Sequence, residues 1–292
     1  MRNLTRPQPP YINHYVDSLE RRNNPRKRRL DLLKPRIDQA YGVYEMHLNA
    51  DTLSSLNPLT LSDDQKEDLK YCYEHDRNIL FGIIKSTQPD ELQSSCQYCG
   101  LGESSTLDHF VPQAEFPEFS IFLLNLVLSC YECNKRKLES WRANGSTVFL
   151  HLYRDQFEYN QFLRCEIVRS NGILVPEFYL RKSPQITERL FKRIEEHFNR
   201  LGLFGRFESA SNSIVSEIRK SILGSRLVFT RNQKKKIVLR EVNIKKQVYG
   251  INNWRTALIE GLSTSSEFLD SISSSYRVGT PKWVRDKILG VP

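Results

Sequence analysis

No apolar run in this 292-residue sequence approaches the roughly 20 residues that are needed to span a lipid bilayer, so no membrane partner is expected. The first residues, MRNLTRPQPPYINHY, lack the apolar core of a signal peptide, which predicts a cytoplasmic protein. A Gly-x-Ser-x-Gly motif and a Walker-type phosphate loop are both missing. These two absences argue against a serine hydrolase, and they mean that any ATP-dependent step would need a partner.

Basic residues are concentrated in two parts of the sequence. The net charge of +9 divides into +6 over residues 1–40, −6 over 41–92, −2 over 93–145 and +11 over 146–292. Basic surface of this kind suits a polyanion, most simply nucleic acid, and the alternative is ordinary solvated charge. Residues 1–29 are interpreted as an exposed arm that Tyr11 and Tyr15 order in part. A basic strand or hairpin is predicted around Lys234, Lys235 and Lys236, which are candidates for contacting nucleic acid.

Local patterns predict several secondary-structure elements. Ser62 and Gln65 form a capping box, which predicts a helix from there to about Lys85. The pair Asn171-Gly172 between two β-rich runs predicts a hairpin turn, because type I′ turns need positive φ at both positions. Ser183, with proline next to it, is expected to cap a helix that Gly202 ends.

Four of the six cysteines form two Cys-x-x-Cys pairs, Cys96/Cys99 and Cys130/Cys133. Four thiolates complete a tetrahedral Zn²⁺ site with no open position, so the predicted role of the zinc is structural. An iron–sulfur cluster is the main alternative. The 30 residues between the pairs exceed a typical zinc-ribbon spacing, which indicates that a sizeable element folds between them.

The residues between and just after the cysteine pairs include four candidates for chemistry. Asp108 and His109 are adjacent, Asn125 interrupts an apolar run, and Asn134 directly follows the last cysteine. Together they offer two oxygen donors, one neutral base and one orienting amide, a set that suits a single divalent ion and an activated water.

These motifs resemble those of the HNH endonucleases of the ββα-metal group. The resemblance rests on Cys-x-x-Cys, Asp-His-x-x-Pro, Asn-Leu and Cys-x-x-Cys-Asn-x-x-Lys, and it covers about Ser94 to Trp141. Asn134 stands where many members of the family have histidine. Because an asparagine still offers a carbonyl oxygen to a metal, this departure concerns metal preference more than activity.

The resemblance implies a role for each of these residues. His109 is the expected general base that activates water, and Asp108 and Asn134 are the expected ligands of one Mg²⁺ or Mn²⁺. Asn125 is expected to position the loop and the His109 ring. Arg136 or Lys137 is expected to bind a neighbouring phosphate of a DNA substrate.

The sequence therefore predicts an α+β chain in three regions. Residues 1–90 are a basic arm and a mainly helical region, 91–145 the zinc-stabilised ββα-metal (HNH) module, and 146–292 a basic, mixed α/β region that binds nucleic acid or a partner. The first hypothesis is a metal-dependent DNA endonuclease, and the second is a non-catalytic zinc-stabilised module that binds nucleic acid or protein. HNH proteins with flanking regions also resemble effectors of bacterial anti-phage defence, which are often encoded beside an ATPase subunit.

Overall fold

The computed structural model describes residues 1–224 and 230–274, and within these ranges the chain is an α+β protein with small antiparallel sheets. The helices are α1 (Ile12–Glu20), α2 (Arg26–Asn49), α3 (Asp63–Ser86), α4 (Asp90–Gln93), α5 (Tyr131–Lys137), α6 (Glu188–Leu201), α7 (Leu203–Gly224), α8 (Arg231–Tyr249), α9 (Trp254–Thr264) and α10 (Ser266–Ser274). The strands are β1 (Thr106–His109), β2 (Leu126–Ser129), β3 (Arg142–Ala143), β4 (Ser146–Thr147), β5 (Leu163–Ser170) and β6 (Ile173–Leu180). None of the helices in the described ranges is long and apolar enough to cross a membrane.

The chain forms two compact units. One unit comprises Asn3–Gln156 and Thr187–Leu201, and it contains the cysteine pairs and the residues between them. The other comprises Met1–Arg2, Phe157–Ile186 and Gly202–Pro292, of which residues 225–229 and 275–292 lie outside the described part of the chain. The predicted boundaries at residues 90 and 145 stay predictions.

The interpretation of residues 1–29 as an exposed arm is wrong, because most of this segment is folded onto its own unit. Helix α1 buries Tyr15 and Leu19, and the hydroxyl of Tyr15 donates to the carbonyl of Leu30 in α2 at 2.8 Å. Four arginines pair with two buried carboxylates of α3: Arg21 and Arg22 with Asp76, and Arg26 and Arg29 with Asp68. Four arginines of this segment therefore have anionic partners within the chain, and the two carboxylates offset two of the four charges.

Helix α3 begins as the capping box predicts. The hydroxyl oxygen of Ser62 accepts from the backbone N–H of Gln65 at 3.3 Å, and the side chain of Gln65 accepts from the N–H of Ser62 at 3.0 Å. The helix then runs to Ser86, as expected. It reaches β1, because the hydroxyl of Tyr73 donates to the carbonyl oxygen of Leu107 at 3.2 Å.

Strands β1 and β2 form an antiparallel pair, and α5 follows β2 directly. The register places Asp108 opposite Val127 and His109 opposite Leu126. Nearly every side chain from Phe116 to Cys130 is buried, so this part of the chain supplies much of the core around the pair. The order strand, strand, helix matches the ββα arrangement expected between the cysteine pairs.

The unit that contains β5 and β6 is built on a hairpin. These strands pair from Leu163–Leu180 to Ser170–Ile173, and Asn171 and Gly172 between them have φ angles of 48° and 80°. The predicted hairpin turn is thus confirmed. Helix α9 packs closely on β5, because a Cβ added at Gly261 would lie 2.5 Å from the carbonyl oxygen of Cys165.

Two predictions for the basic C-terminal region are corrected. Lys234, Lys235 and Lys236 lie in helix α8 and not in a strand, because Thr230 and Gln233 form a capping box that starts a helix. Helix α6 begins at Glu188 and not near Ser183, although it does end before Gly202, whose φ is 60°.

Candidate functional site

The four cysteines of the two Cys-x-x-Cys pairs meet in one buried cluster. Cys96 and Cys99 lie in a turn before β1, Cys130 is the N-cap of α5, and Cys133 lies within α5. Their sulfur atoms all lie within 4.8 Å of one another, and those of Cys99 and Cys130 are 3.9 Å apart. A tetrahedral zinc ion with Zn–S bonds of about 2.3 Å needs sulfurs about 3.8 Å apart. The cluster is therefore positioned to bind a single metal ion and is compatible with structural zinc.

Backbone groups support this cluster. The N–H of Leu101 points at the sulfur of Cys99 at 3.4 Å, and the N–H of Cys133 points at the sulfur of Cys130 at 3.4 Å. Such N–H groups stabilise thiolates, the form of cysteine that binds metal. A Cβ added at Gly102 would lie 3.1 Å from the Cβ of Cys130, so this position leaves little room for a side chain. A multi-iron cluster would spread the four sulfurs over different metal atoms, so the short spacing favours a single ion.

His109, at the end of β1, is part-buried and held by a backbone carbonyl. Its Nε2 lies 2.8 Å from the carbonyl oxygen of Ser120, and its ring meets that of Tyr73 edge-on with centroids 4.5 Å apart. Burial lowers the pKa of His109 to about 4, so the imidazole is neutral near pH 7. Because a carbonyl can only accept, Nε2 carries the proton, and Nδ1 of the neutral ring has a free lone pair.

Asp108 points to the opposite face of β1, toward α5, as expected for neighbouring residues of a strand. Only 3% of Asp108 is exposed. Its Oδ2 accepts from the hydroxyl of Tyr98 at 2.7 Å and lies 3.1 Å from Nζ of Lys137, while its Oδ1 lies 3.4 Å from the same ammonium. Burial raises the pKa of Asp108, and Lys137 and Tyr98 oppose that rise.

Lys137 is not placed to bind a phosphate, because its ammonium is fully buried between Asp108 and the carbonyl oxygen of His109. Asn134 is part-buried on the same face of α5, one helical turn before Lys137. Arg136 is exposed and pairs with Glu132 at 2.6 Å. The structure thus brings Asp108 and Lys137 together on one face of β1, and it places His109 on the other.

Asn125 is fully buried and uses its whole amide. Its Oδ1 accepts from the N–H of Val111 at 2.8 Å and from the hydroxyl of Tyr44 at 3.3 Å. Its Nδ2 donates to the carbonyl oxygens of Val111 and Phe119. The Asn125 side chain therefore joins the loop that follows His109 to Phe119. Phe119 directly precedes Ser120, and the carbonyl oxygen of Ser120 holds the imidazole of His109.

The three predicted lysines of the C-terminal region lie in the other compact unit. Lys235 and Lys236 are exposed on α8, whereas Lys234 is buried. Lys235 and Lys236 are therefore available to a polyanion, and Lys234 is not.

Sequence reasoning missed several residues that build the site. Tyr98, between the cysteines of the first pair, is fully buried, and its hydroxyl donates to Asp108. His197 of α6 lies with Nε2 3.0 Å from the carbonyl oxygen of Tyr98, and Tyr44 of α2 reaches Asn125. The partners in each of these two contacts lie about 80 to 100 residues apart in sequence, so no local pattern could have indicated them.

Comparisons with known proteins agree with this geometry. The family model of HNH endonuclease matches residues 96–139. The chain is also 27% identical to protein ea31 of Escherichia phage lambda, over 76% of this chain and 81% of that protein. No solved structure shows a significant match. Residues 96–139 therefore form a domain that matches the HNH endonuclease family, and the buried cysteines there are compatible with the zinc-binding variant of that family.

Proposed function

We propose that this chain is a metal-dependent endonuclease that hydrolyses phosphodiester bonds of DNA, with His109 as the general base. The proposal rests on the hydrogen bonding and the protonation state of the His109 imidazole. Its Nε2–H is engaged by the carbonyl of Ser120, its pKa is low, and its Nδ1 is left as a proton acceptor. In the proposed step Nδ1 takes a proton from water, the water oxygen bonds to phosphorus, and the bond from phosphorus to the 3′-oxygen breaks.

Asp108 and Asn134 are the proposed ligands of one Mg²⁺ or Mn²⁺. Mg²⁺ is commonly held by one or two carboxylates and completed by water and substrate phosphate, so a carboxylate and an amide oxygen are suitable types of ligand for such an ion. Oδ1 of Asp108 is the less engaged of its two oxygens, since its distance to Lys137 Nζ is 3.4 Å. When bound, the ion would stabilise the negative charge that develops on the phosphate and on the leaving oxygen.

The neighbouring residues have supporting roles in this proposal. Asn125 positions the imidazole, because it ties the loop after His109 to the segment that ends at Ser120. Arg136 is the proposed phosphate contact within the domain, because it is exposed and Lys137 is not. On α8, Lys235 and Lys236 are the proposed contacts to the DNA backbone.

The test compares the wild-type protein with His109→Ala on plasmid, linear duplex, single-stranded DNA and RNA, in Mg²⁺, in Mn²⁺ and without divalent metal. His75→Ala is the matched control, because His75 is an exposed histidine on α3. Zinc content and far-UV circular dichroism report on folding.

Cleavage by the wild-type protein and by His75→Ala, together with its loss in a folded, zinc-containing His109→Ala variant, would support the proposal. A folded His109→Ala variant that still cuts DNA would show that His109 is not the base.

One observation favours a second candidate, a non-catalytic domain that binds nucleic acid. The Asp108 carboxylate is almost fully buried and already has a cation, the ammonium of Lys137, beside it. This candidate predicts salt-dependent DNA binding without hydrolysis in any divalent metal, which the same assay detects.

A role in anti-phage defence with an ATPase partner also stays a proposal. Its support is the resemblance of HNH proteins with flanking regions to such effectors. Co-purification of the tagged chain with an ATPase subunit from its native host would support this role. A monomer that cleaves DNA without restraint would argue against it.

A further inference from the structure

Leu138, directly after α5, combines high exposure with a backbone conformation that leucine rarely adopts. Its side chain is 69% exposed, and its φ and ψ angles are 47° and −129°. The N–H of Ser140 donates to the carbonyl of Lys137 at 3.0 Å, which closes a tight turn around Leu138. These angles are those of the first central residue of a type II′ turn, a position that glycine normally occupies.

Folding alone does not account for a leucine at this position. The exposed side chain removes little apolar area from water, while positive φ is a genuine outlier for a bulky residue. A glycine would fit the turn without strain. Strained residues of this kind concentrate at functional sites, where the surrounding structure holds them in place.

The surroundings of Leu138 point to nucleic acid as the occupant. The preceding residue, Lys137, contacts Asp108 and the carbonyl of His109, so Leu138 directly follows a residue of the candidate active site in the chain. Lys135 on α5 is exposed and can complement a phosphate, whereas Arg136 pairs with Glu132 and the exposed Glu139 directly follows Leu138. Tyr131, two helical turns before Leu138, is 66% exposed and adds a second apolar surface to the same helix.

We propose that Leu138 is an apolar wedge that inserts at a base step of duplex DNA bound to the domain at residues 96–139. Apolar side chains inserted between base pairs unstack a step and bend the duplex, while nearby cations hold the backbone. This inference rests on the proposed function for the identity of the substrate. It adds that the protein distorts the duplex it binds, and that Leu138 is a binding and not a catalytic residue.

The experiment uses short duplexes that carry 2-aminopurine at several positions, because the fluorescence of this base rises when it is unstacked. Binding is measured without divalent metal, so that cleavage does not interfere. The variants are Leu138→Gly, which relieves the turn, and Leu138→Phe, which keeps a bulky apolar side chain. Ile173→Ala is the matched control, since Ile173 is a similarly exposed apolar residue in the other compact unit.

The expected result is a fluorescence rise with the wild-type protein, Leu138→Phe and Ile173→Ala. With Leu138→Gly we expect no rise and binding that is about tenfold weaker, although its melting temperature is at or above that of the wild type. Binding and fluorescence with Leu138→Gly that equal those of the wild type would overturn the wedge, while cleavage through His109 would stand. Absence of duplex binding by the wild-type protein would also overturn the wedge, whereas the proposed cleavage through His109 is tested separately by the assay with His109→Ala.

Discussion

The ammonium of Lys137 lies 3.1 Å from Oδ2 of Asp108, in a place where neither side chain is more than 3% exposed. The same ammonium donates to the carbonyl oxygen of His109 at 2.6 Å. One side chain of α5 therefore fixes two successive residues of β1, one of which is the candidate base. The packing of the helix on the strand and the geometry of the site depend on the same contact.

Replacing Lys137 with methionine is expected to destabilise the protein strongly. The change leaves the buried Asp108 carboxylate without its cation, and breaking a buried pair in this way costs about 3–5 kcal/mol. Urea unfolding followed by circular dichroism would measure the loss. Arg136→Met removes an exposed charge on the same helix, and its cost is expected to stay below about 1 kcal/mol.

The double variant Asp108→Asn with Lys137→Met separates the charge effect from simple loss of packing. Because this variant leaves no unpaired buried charge, it is expected to be clearly more stable than Lys137→Met alone. Equal stability of the two variants would mean that the ion pair does not account for the loss.

Removal of one cysteine ligand is expected to unfold the domain that carries the site. In Cys130→Ser the cluster keeps three thiolates, and because metal binding and folding are coupled, both zinc content and cleavage should be lost. Cys72→Ala is the matched control, since Cys72 is buried in α3 and lies outside the cluster. Zinc content measured by plasma emission spectroscopy would distinguish the two variants, and a Cys130→Ser protein with full zinc content would contradict the assignment.

The parts of the site that lie close together in sequence could be predicted. The cysteine spacing indicates a metal centre, and the capping box at Ser62 marks the start of α3, because both signals are local. The helix α8 was predicted as a strand because Ile237 and Val238 favour strands, although Thr230 and Gln233 already form a capping box.

Contacts between distant segments could not be predicted in the same way. The partner of His109 is a carbonyl 11 residues away, and a backbone carbonyl has no sequence signature. The arginines that pair with Asp68 and Asp76 appear in the sequence as a free basic arm, because only the packing of the helices brings them to these carboxylates. The number of basic residues in the sequence therefore overestimates the number that are available to contact DNA.

Glu118 is expected to make the stability of the protein depend on pH. It is 1% exposed, its Oε1 accepts from the N–H of Leu59 at 2.8 Å, and its Oε2 has no partner among the described residues. Burial raises its pKa from 4.5 to about 6. The folded state therefore holds this proton more tightly than the unfolded state does. The resulting stabilisation is complete below about pH 4.5 and is lost as the pH rises through about 6.

The variant Glu118→Gln removes this titration and keeps an acceptor for Leu59. The unfolding free energy of this variant relative to the wild type should be about 2 kcal/mol higher at pH 7.5 than at pH 4, because 1 pKa unit corresponds to about 1.4 kcal/mol. Chemical denaturation at the two pH values measures the difference. Glu139→Gln is the exposed control and should show no such change. If the unfolding free energy of Glu118→Gln relative to the wild type were the same at both pH values, this would contradict the raised pKa of Glu118.

Basic residues that stabilise the fold can be distinguished by experiment from those that are available to bind DNA. Lys235 and Lys236 are exposed on α8, so replacing both with glutamine should weaken DNA binding and leave unfolding unchanged. Each lost phosphate contact should reduce the slope of log affinity against log salt concentration by about 1. Binding isotherms at several salt concentrations measure this slope.

Arg22→Gln is the opposite case, because its guanidinium is 6% exposed and lies 2.6 Å from the buried Asp76. This substitution should lower the free energy of unfolding by roughly 3 kcal/mol, since it weakens a buried ion pair. The salt slope of the folded variant should equal that of the wild type, because Arg22 already has its anion within the chain. A reduced slope in Arg22→Gln with unchanged stability would mean that the N-terminal arginines, and not α8, contact the DNA backbone.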